Sequence, residues 1–147
     1  MSCNPSVTMK RYNHLIGEID AVYHKMSLKL GLSDSAMIIL YTICDNGNET
    51  SCLLQDICRR SGLSKQTINS AIRKLEAEGI LYLESVSPKS KNVCLTEAGK
   101  HLAAQSAGQI ITIENEIFAS WPWEDVQKYL ELTEAFLRAL QKKAKSL

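Results

Sequence analysis

Apolar residues recur at threes and fours through nearly all of this 147-residue chain, and the period changes in one place only, between Ile80 and Leu95. A stripe with that period can be buried only along one side of a helix. The chain therefore has to pack several amphipathic helices around one short stretch of strand. The first stripe is Ile16, Ile19, Val22, Tyr23, Met26 and Leu30, on a helix expected over about 8–30 and ended by Gly31. Ser33 is placed to cap a short apolar helix from Met37 to Cys44, and Asn46-Gly47-Asn48 reads as a loop. A third helix, about Leu53 to Arg60, stops at Gly62, and a fourth starts from the N-cap Ser64 and ends at Gly79. Ile80, Tyr82 and Val93-Cys94-Leu95 read as two short strands with Ser87 to Asn92 as the turn between them. Thr96 and Glu97 open a long helix reaching about Ser120. Pro122 suits the first turn of the last helix. Its stripe is Val126, Tyr129, Leu130, Thr133, Phe136, Leu137 and Leu140, and Lys142, Lys143 and Lys145 follow at its C-terminus.

Several function classes are excluded by what is missing. Hydrophobic residues are 45% and charged residues 22%, ordinary values for a globular chain, and ten Pro plus Gly residues argue against a turn-rich sandwich. The longest uncharged runs, Ser35–Cys44 and Leu102–Ile113, fall short of the roughly 20 apolar residues a membrane span needs. The N-terminal residues form no signal-peptide core, so a cytoplasmic location without membrane contact is expected. Cys3, Cys44, Cys52, Cys58 and Cys94 form no CxxC pair and read as small buried hydrophobes, with Cys3 alone exposed. His14, His24 and His101 are scattered, and there is no HExxH, no clustered carboxylate set, no phosphate-binding glycine loop and no GxSxG. No metal, no cofactor and no enzyme activity are implied.

The informative segment is Leu53 to Thr96. Its first helix carries a small residue, Cys58, where a close helix crossing needs one, and its tight turn carries Gly62. On the second helix Ile68, Ala71, Ile72 and Leu75 fall on one face and pack inward. Gln66, Asn69, Ser70 and Arg73 fall on nearly the opposite face, with Ser64, Lys65 and Thr67 at the N-terminal end. Amides suit adenine edges, a guanidinium suits guanine, and hydroxyls suit phosphate. Between Gln55 and Asn92 there are seven bases and four acids, a net of +3, whereas the stretches before and after are each at −1. Positive charge is thus concentrated where a phosphate backbone would lie.

Ser64-Lys65-Gln66-Thr67-Ile68 through Leu75-Glu76-Ala77-Glu78-Gly79-Ile80-Leu81, then a short hairpin and Leu95-Thr96-Glu97-Ala98-Gly99, resembles the MarR family of winged-helix transcriptional regulators. The resemblance implies a mainly α fold in a single domain, 1–147. In it a winged helix-turn-helix lobe at about 33–96 carries a two-stranded β wing. N- and C-terminal helices at about 8–30 and 97–146 make a homodimer. It implies double-stranded DNA as partner, an inverted-repeat operator with half-site centres about 10 bp apart, and a recognition helix in the major groove. The implied DNA-binding residues are Ser64, Lys65, Gln66, Thr67, Asn69, Ser70 and Arg73, with Lys89 and Lys91 on the wing. In that family small aromatic or phenolic effectors bind between the dimer helices and the lobe. Tyr12, Tyr23, Tyr41, Trp121 and Trp123 are candidates to line such a pocket here, although residues at such helical positions are more often plain core or interface residues. The wing departs from the family pattern: where Asp-x-Arg is usual, Ser87-Pro88-Lys89 stands. A lysine there meets phosphate as a point charge and lacks the planar fork that suits a narrow minor groove. A winged helix that binds protein without specific DNA binding is the alternative, since fold does not fix function.

Overall fold

Four hydroxyls set where helices begin. In the computed structural model, which describes residues 3–47 and 50–147, Ser6 accepts a hydrogen bond from the Met9 amide, Ser33 from Ala36, Ser64 from Thr67 and Thr96 from Gly99. Each satisfies a donor that the first helical turn leaves without a partner. The elements in order are α1 (Val7–Lys29), α2 (Asp34–Asp45), β1 (Ser51–Leu53), α3 (Leu54–Ser61), α4 (Lys65–Ala77), β2 (Leu81–Ser87), β3 (Ser90–Leu95), α5 (Glu97–Gln105), α6 (Ala107–Ala119) and α7 (Trp123–Ala144). The periodicity marks every helix. Asn46 and Gly47 form the expected turn, and Asn48 lies outside the described residues.

Three features differ from expectation. The sheet has three strands, in the order β1-β3-β2, because Ser51, Cys52 and Leu53 pair antiparallel with Cys94, Val93 and Asn92. The wing strands are also longer and its turn tighter. β2 and β3 stay paired out to Ser87 and Ser90, leaving Pro88 and Lys89 between them, with a bulge at Ser85 to Ser87. The long helix expected from Thr96 to Ser120 is two helices, parted at Ser106. The buried Ser106 hydroxyl donates to the Leu102 carbonyl oxygen at 2.6 Å, its backbone leaves helical geometry, and its own carbonyl accepts from Gln109 and Ile110 to begin α6. A serine bonded back to the preceding turn bends helices in this way. The last helix starts after Pro122, which stands at the cap position with no side-chain bond to offer.

The described residues form two compact units, one ending at Ile110 and one running from Ile111 to Leu147. In the first, α2, α3, α4 and the sheet enclose one core. Ile39, Leu40 and Ile43 of α2, Ile57 of α3, and Ile68, Ile72 and Leu75 of α4 are buried. They meet Leu81, Val93 and Leu95 of the sheet and Ala103, Ala107 and Ile110 of the helices that follow. Met26 and Leu30 at the end of α1 pack against this core, and His24 Nδ1 lies 2.7 Å from Asp34 Oδ2, tying α1 to the start of α2. The rest of α1 leaves Leu15, Ile16, Ile19, Val22 and Tyr23 exposed. In the second unit the rings of Phe118, Trp121 and Tyr129 stack with centroids 5.3–6.0 Å apart. α7 has no buried residue, and Tyr129, Leu130, Phe136, Leu137 and Leu140 of its stripe remain exposed. Of the cysteines, Cys52 and Cys94 are buried, Cys44 and Cys58 half-buried and Cys3 exposed. Among the described residues no single helix is long and apolar enough to cross a membrane.

Candidate nucleic-acid interface

The α3–α4 turn is held by its own groups. Gly62 adopts φ +70°, which a side chain would resist. Ser61 donates from its hydroxyl to the Cys58 carbonyl oxygen and accepts from the Leu63 amide, both at 3.2 Å. α4 then starts on Ser64. That hydroxyl accepts from the Thr67 amide at 3.1 Å and donates to Thr67 Oγ1 at 2.8 Å. Ser64 and Thr67, both expected to face DNA, are thus already joined in a cap. Their first task is to start the helix.

The remaining candidates sort by direction. Ile68, Ile72 and Leu75 point into the core and Ala71 is half-buried. At about 100° per residue, Gln66 and Ser70 project directly away from the core. Asn69 and Arg73 lean to one flank, Thr67 and Lys74 to the other. Each flank borders a groove. One, of about 610 Å³, has a floor of Leu54, Cys58, Ile72 and Leu83 and a rim of Gln55, Lys65, Asn69, Arg73, Lys89 and Lys91. It brings the helix candidates and the wing candidates to one place. The other, of about 560 Å³, runs between the start of α2 and the far side of α4, with Ser33, Ser35, Gln66, Thr67, Ser70, Lys74 and Glu78 on its walls.

Charge pairing sharpens the +3 seen in the sequence. Arg59 bonds Asp56 at 3.1 Å, and Arg60 bonds Asp45. Those two bases are committed to carboxylates. Among the described residues, Lys65, Arg73, Lys74, Lys89 and Lys91 have no carboxylate within ion-pair distance. All five lie on α4 or the wing, so the uncompensated charge is narrower in extent than the segment that carries it.

Several residues at these grooves were not among the sequence candidates, Lys74 and Gln55 among them. Lys74 follows Thr67 and Ser70 at helical spacing, which would have placed it on their flank. Gln55 carried no such signal, because only the fold brings α3 beside the wing. Of the aromatic candidates, Tyr12 and Tyr23 stand exposed on α1, Tyr41 is half-buried on α2, Trp121 stacks in the second unit, and Trp123 is 72% exposed.

Residues 30–90 match the model of the MarR family. Over those residues the chain is similar to the MarR family, and its fold is the winged-helix fold of solved MarR-family structures. Solved MarR-family structures superpose over nearly its whole length. One, a MarR family regulator from Neisseria meningitidis, is 20% identical, covers 96% of this chain and 99% of its own, and has a TM-score of 0.82. AbsC, a MarR family transcriptional regulator from Streptomyces coelicolor, is 14% identical over 96% of this chain and 99% of its own, with a TM-score of 0.71. BpsR of Bordetella bronchiseptica, whose DNA binding is regulated by 6-hydroxynicotinic acid, is 20% identical over 85% of this chain and 98% of its own, with a TM-score of 0.61. No curated protein shows a significant sequence match. The MarR-family match runs from the end of α1 to Ser90, and so takes in α4, Lys89 and the start of α2.

Proposed function

We propose that this chain is a homodimeric, sequence-specific DNA-binding transcriptional regulator rather than an enzyme. α4 enters the major groove and the wing lies on the backbone beside it. The observation that carries this is the single groove where Lys65, Asn69, Arg73, Lys89 and Lys91 converge, its four cations without an ion-pair partner among the described residues while the nearby Arg59 and Arg60 are neutralised. A surface selected for protein contact would show apolar side chains at the outward line of α4. Gln66 and Ser70 stand there instead.

The division of labour follows. The lobe at about 33–96 reads DNA through Gln66, Asn69, Ser70 and Arg73, and holds phosphates through Lys65, Lys89 and Lys91, with Ser64 and Thr67 at the helix entrance. Helices at about 8–30 and 97–146 serve dimerisation, supported by the exposed apolar stripes of α1 and α7. A two-fold dimer with one α4 per subunit reads an inverted repeat. The regulation of BpsR by a small aromatic acid extends the proposal to an effector for this chain. Its workplace is the cytoplasm, where the DNA is. Enrichment of bound duplexes from a random pool tests the whole reading: a two-fold symmetric consensus is expected, and no enrichment at low salt would leave protein binding as the function.

A further inference from the structure

The groove between α2 and α4 is lined in part by Gln66, Thr67 and Ser70, but its Lys74 has no role in the function proposed above. Ser35, Thr67, Ser70 and Lys74 line it together with apolar Leu32 and Leu75, and Glu78, the C-cap of α4, stands one turn beyond Lys74. A helix seated in a major groove about 12 Å wide has a phosphate backbone on each flank. On the reading above, the wing flank meets one strand's phosphates with Lys65, Lys89 and Lys91, which line one groove. The opposite flank offers Lys74, the one cation among the described residues that line its groove. Lys74 is exposed and forms no ion pair with Glu78, although the two are four residues apart.

We infer that Lys74 is the phosphate contact to the second DNA strand, so that α4 is clamped from both sides although the chain has a wing on one side only. The inference rests on the DNA-binding reading. A lone ammonium against phosphate carries no sequence information. Losing it should weaken cognate and random duplexes alike. The loss is about eightfold at 0.1 M salt, the counterion-release factor of one phosphate, and the salt slope falls by about one unit. Lysine and arginine are equivalent as point charges in this setting, and Glu78 acts against the contact by repelling the same phosphate.

The experiment is a salt titration of cognate and random DNA binding by the full chain and by Lys74→Gln, Lys74→Arg, Glu78→Gln and Arg73→Ala. Thermal melts check that all are folded. The expected result is a uniform loss and a flatter slope for Lys74→Gln, recovery in Lys74→Arg, and tighter binding in Glu78→Gln. Unchanged affinity and slope in Lys74→Gln, with Arg73→Ala crippled at the cognate site, would overturn the second-strand contact and leave the DNA reading standing. A changed base preference in Lys74→Gln would overturn it too, since the residue would then be reading sequence. A wild-type chain that ignores DNA at low salt would bring down both.

Discussion

A Cβ added to Gly99 would stand 1.9 Å from the carbonyl oxygen of Ile80. The obstacle is backbone, and the backbone there is fixed. Thr96, one turn earlier, donates from its hydroxyl to the Gly79 carbonyl oxygen at 2.6 Å, with the Ile80 carbonyl oxygen at 3.0 Å. Its amide donates to Ile80 at 3.1 Å. The Thr96–Gly99 turn is therefore clamped onto the exit of α4, and it fixes the direction of α4 relative to the sheet. Gly99→Ala should cost about 3 kcal/mol or more, the upper range for overpacking, because no side chain is available to move aside. Thr96→Val should cost about 1–2 kcal/mol as a lost cap, and Thr96→Ser much less. Urea midpoints compared at constant slope would measure all three.

That clamp was half legible in the sequence. Thr96 announces a helix start by type and position, but nothing in a linear pattern says that Gly99 must be bare. The same limit explains the other differences. β1 is three residues long and shows no alternation to detect. Glu84 to Ser87 joins the wing by backbone pairing with Ser90 to Asn92 rather than by apolar content. The apolar spacing runs straight through Ser106, so the break between α5 and α6, made by a hydroxyl and a carbonyl, leaves the periodicity intact. Helix faces were legible because burial imposes their period, which is why Ile68, Ile72 and Leu75 were placed correctly. The groove residues Gln55 and Lys74 depend on which elements become neighbours.

The thiols should separate cleanly by environment. Burial, and then the Glu84 carboxylate, push the Cys94 thiol above its ordinary value of 9.0, and its Sγ lies 3.8 Å from Glu84 Oε2. Burial, and then Asp56, push Cys52 up likewise. A disulfide reagent at pH 8 should modify the exposed Cys3 at the rate of a free thiol and leave Cys52 and Cys94 at the rate of unfolding. The sign for stability follows from raised folded values. Below about pH 9 both states hold the proton and the full contribution is present. As pH rises above that, the unfolded chain ionises first and stability falls. Urea midpoints between pH 7.5 and 10 should decline for the wild type, and decline less for Cys52→Ala together with Cys94→Ala.

Assembly is the next expectation. α1 leaves Val22 54% exposed, and α7 leaves Leu140 56% exposed, each on a continuous apolar stripe. Stripes of that extent mark an interaction site rather than ordinary surface. Light scattering at micromolar protein should give about twice the 16.4 kDa of one chain. Leu140→Glu should weaken the dimer at least tenfold, since burying a leucine contributes about 1.5–3 kcal/mol and a carboxylate there would have to be desolvated. A wild-type mass of one chain would refute the dimer. An unchanged mass for Leu140→Glu would move the interface off α7.

The sharpest test concerns which element reads sequence and which only holds. Arg73 and Lys89 border the same groove, yet under the proposed DNA-binding function their chemistry predicts different work for them. A guanidinium at the flank of α4 can pair with the two acceptors of a guanine. Arg73→Ala should therefore cost about 1–3 kcal/mol at a cognate site and relax preference at one base pair. Lys89 sits at the tip of the wing turn beside Pro88, where an arginine fork would be needed to exploit a narrow minor groove. Its ammonium can only neutralise phosphate. Lys89→Ala should weaken cognate and random DNA equally and flatten the salt dependence by about one unit. Lys89→Arg, which restores the fork, should tighten binding most at operators with A·T-rich flanks. If Lys89→Ala altered base preference while Arg73→Ala lowered affinity uniformly, the roles of helix and wing would have to be exchanged. The lysine would then owe its selectivity to where the tight Ser87–Ser90 turn holds it rather than to its own chemistry.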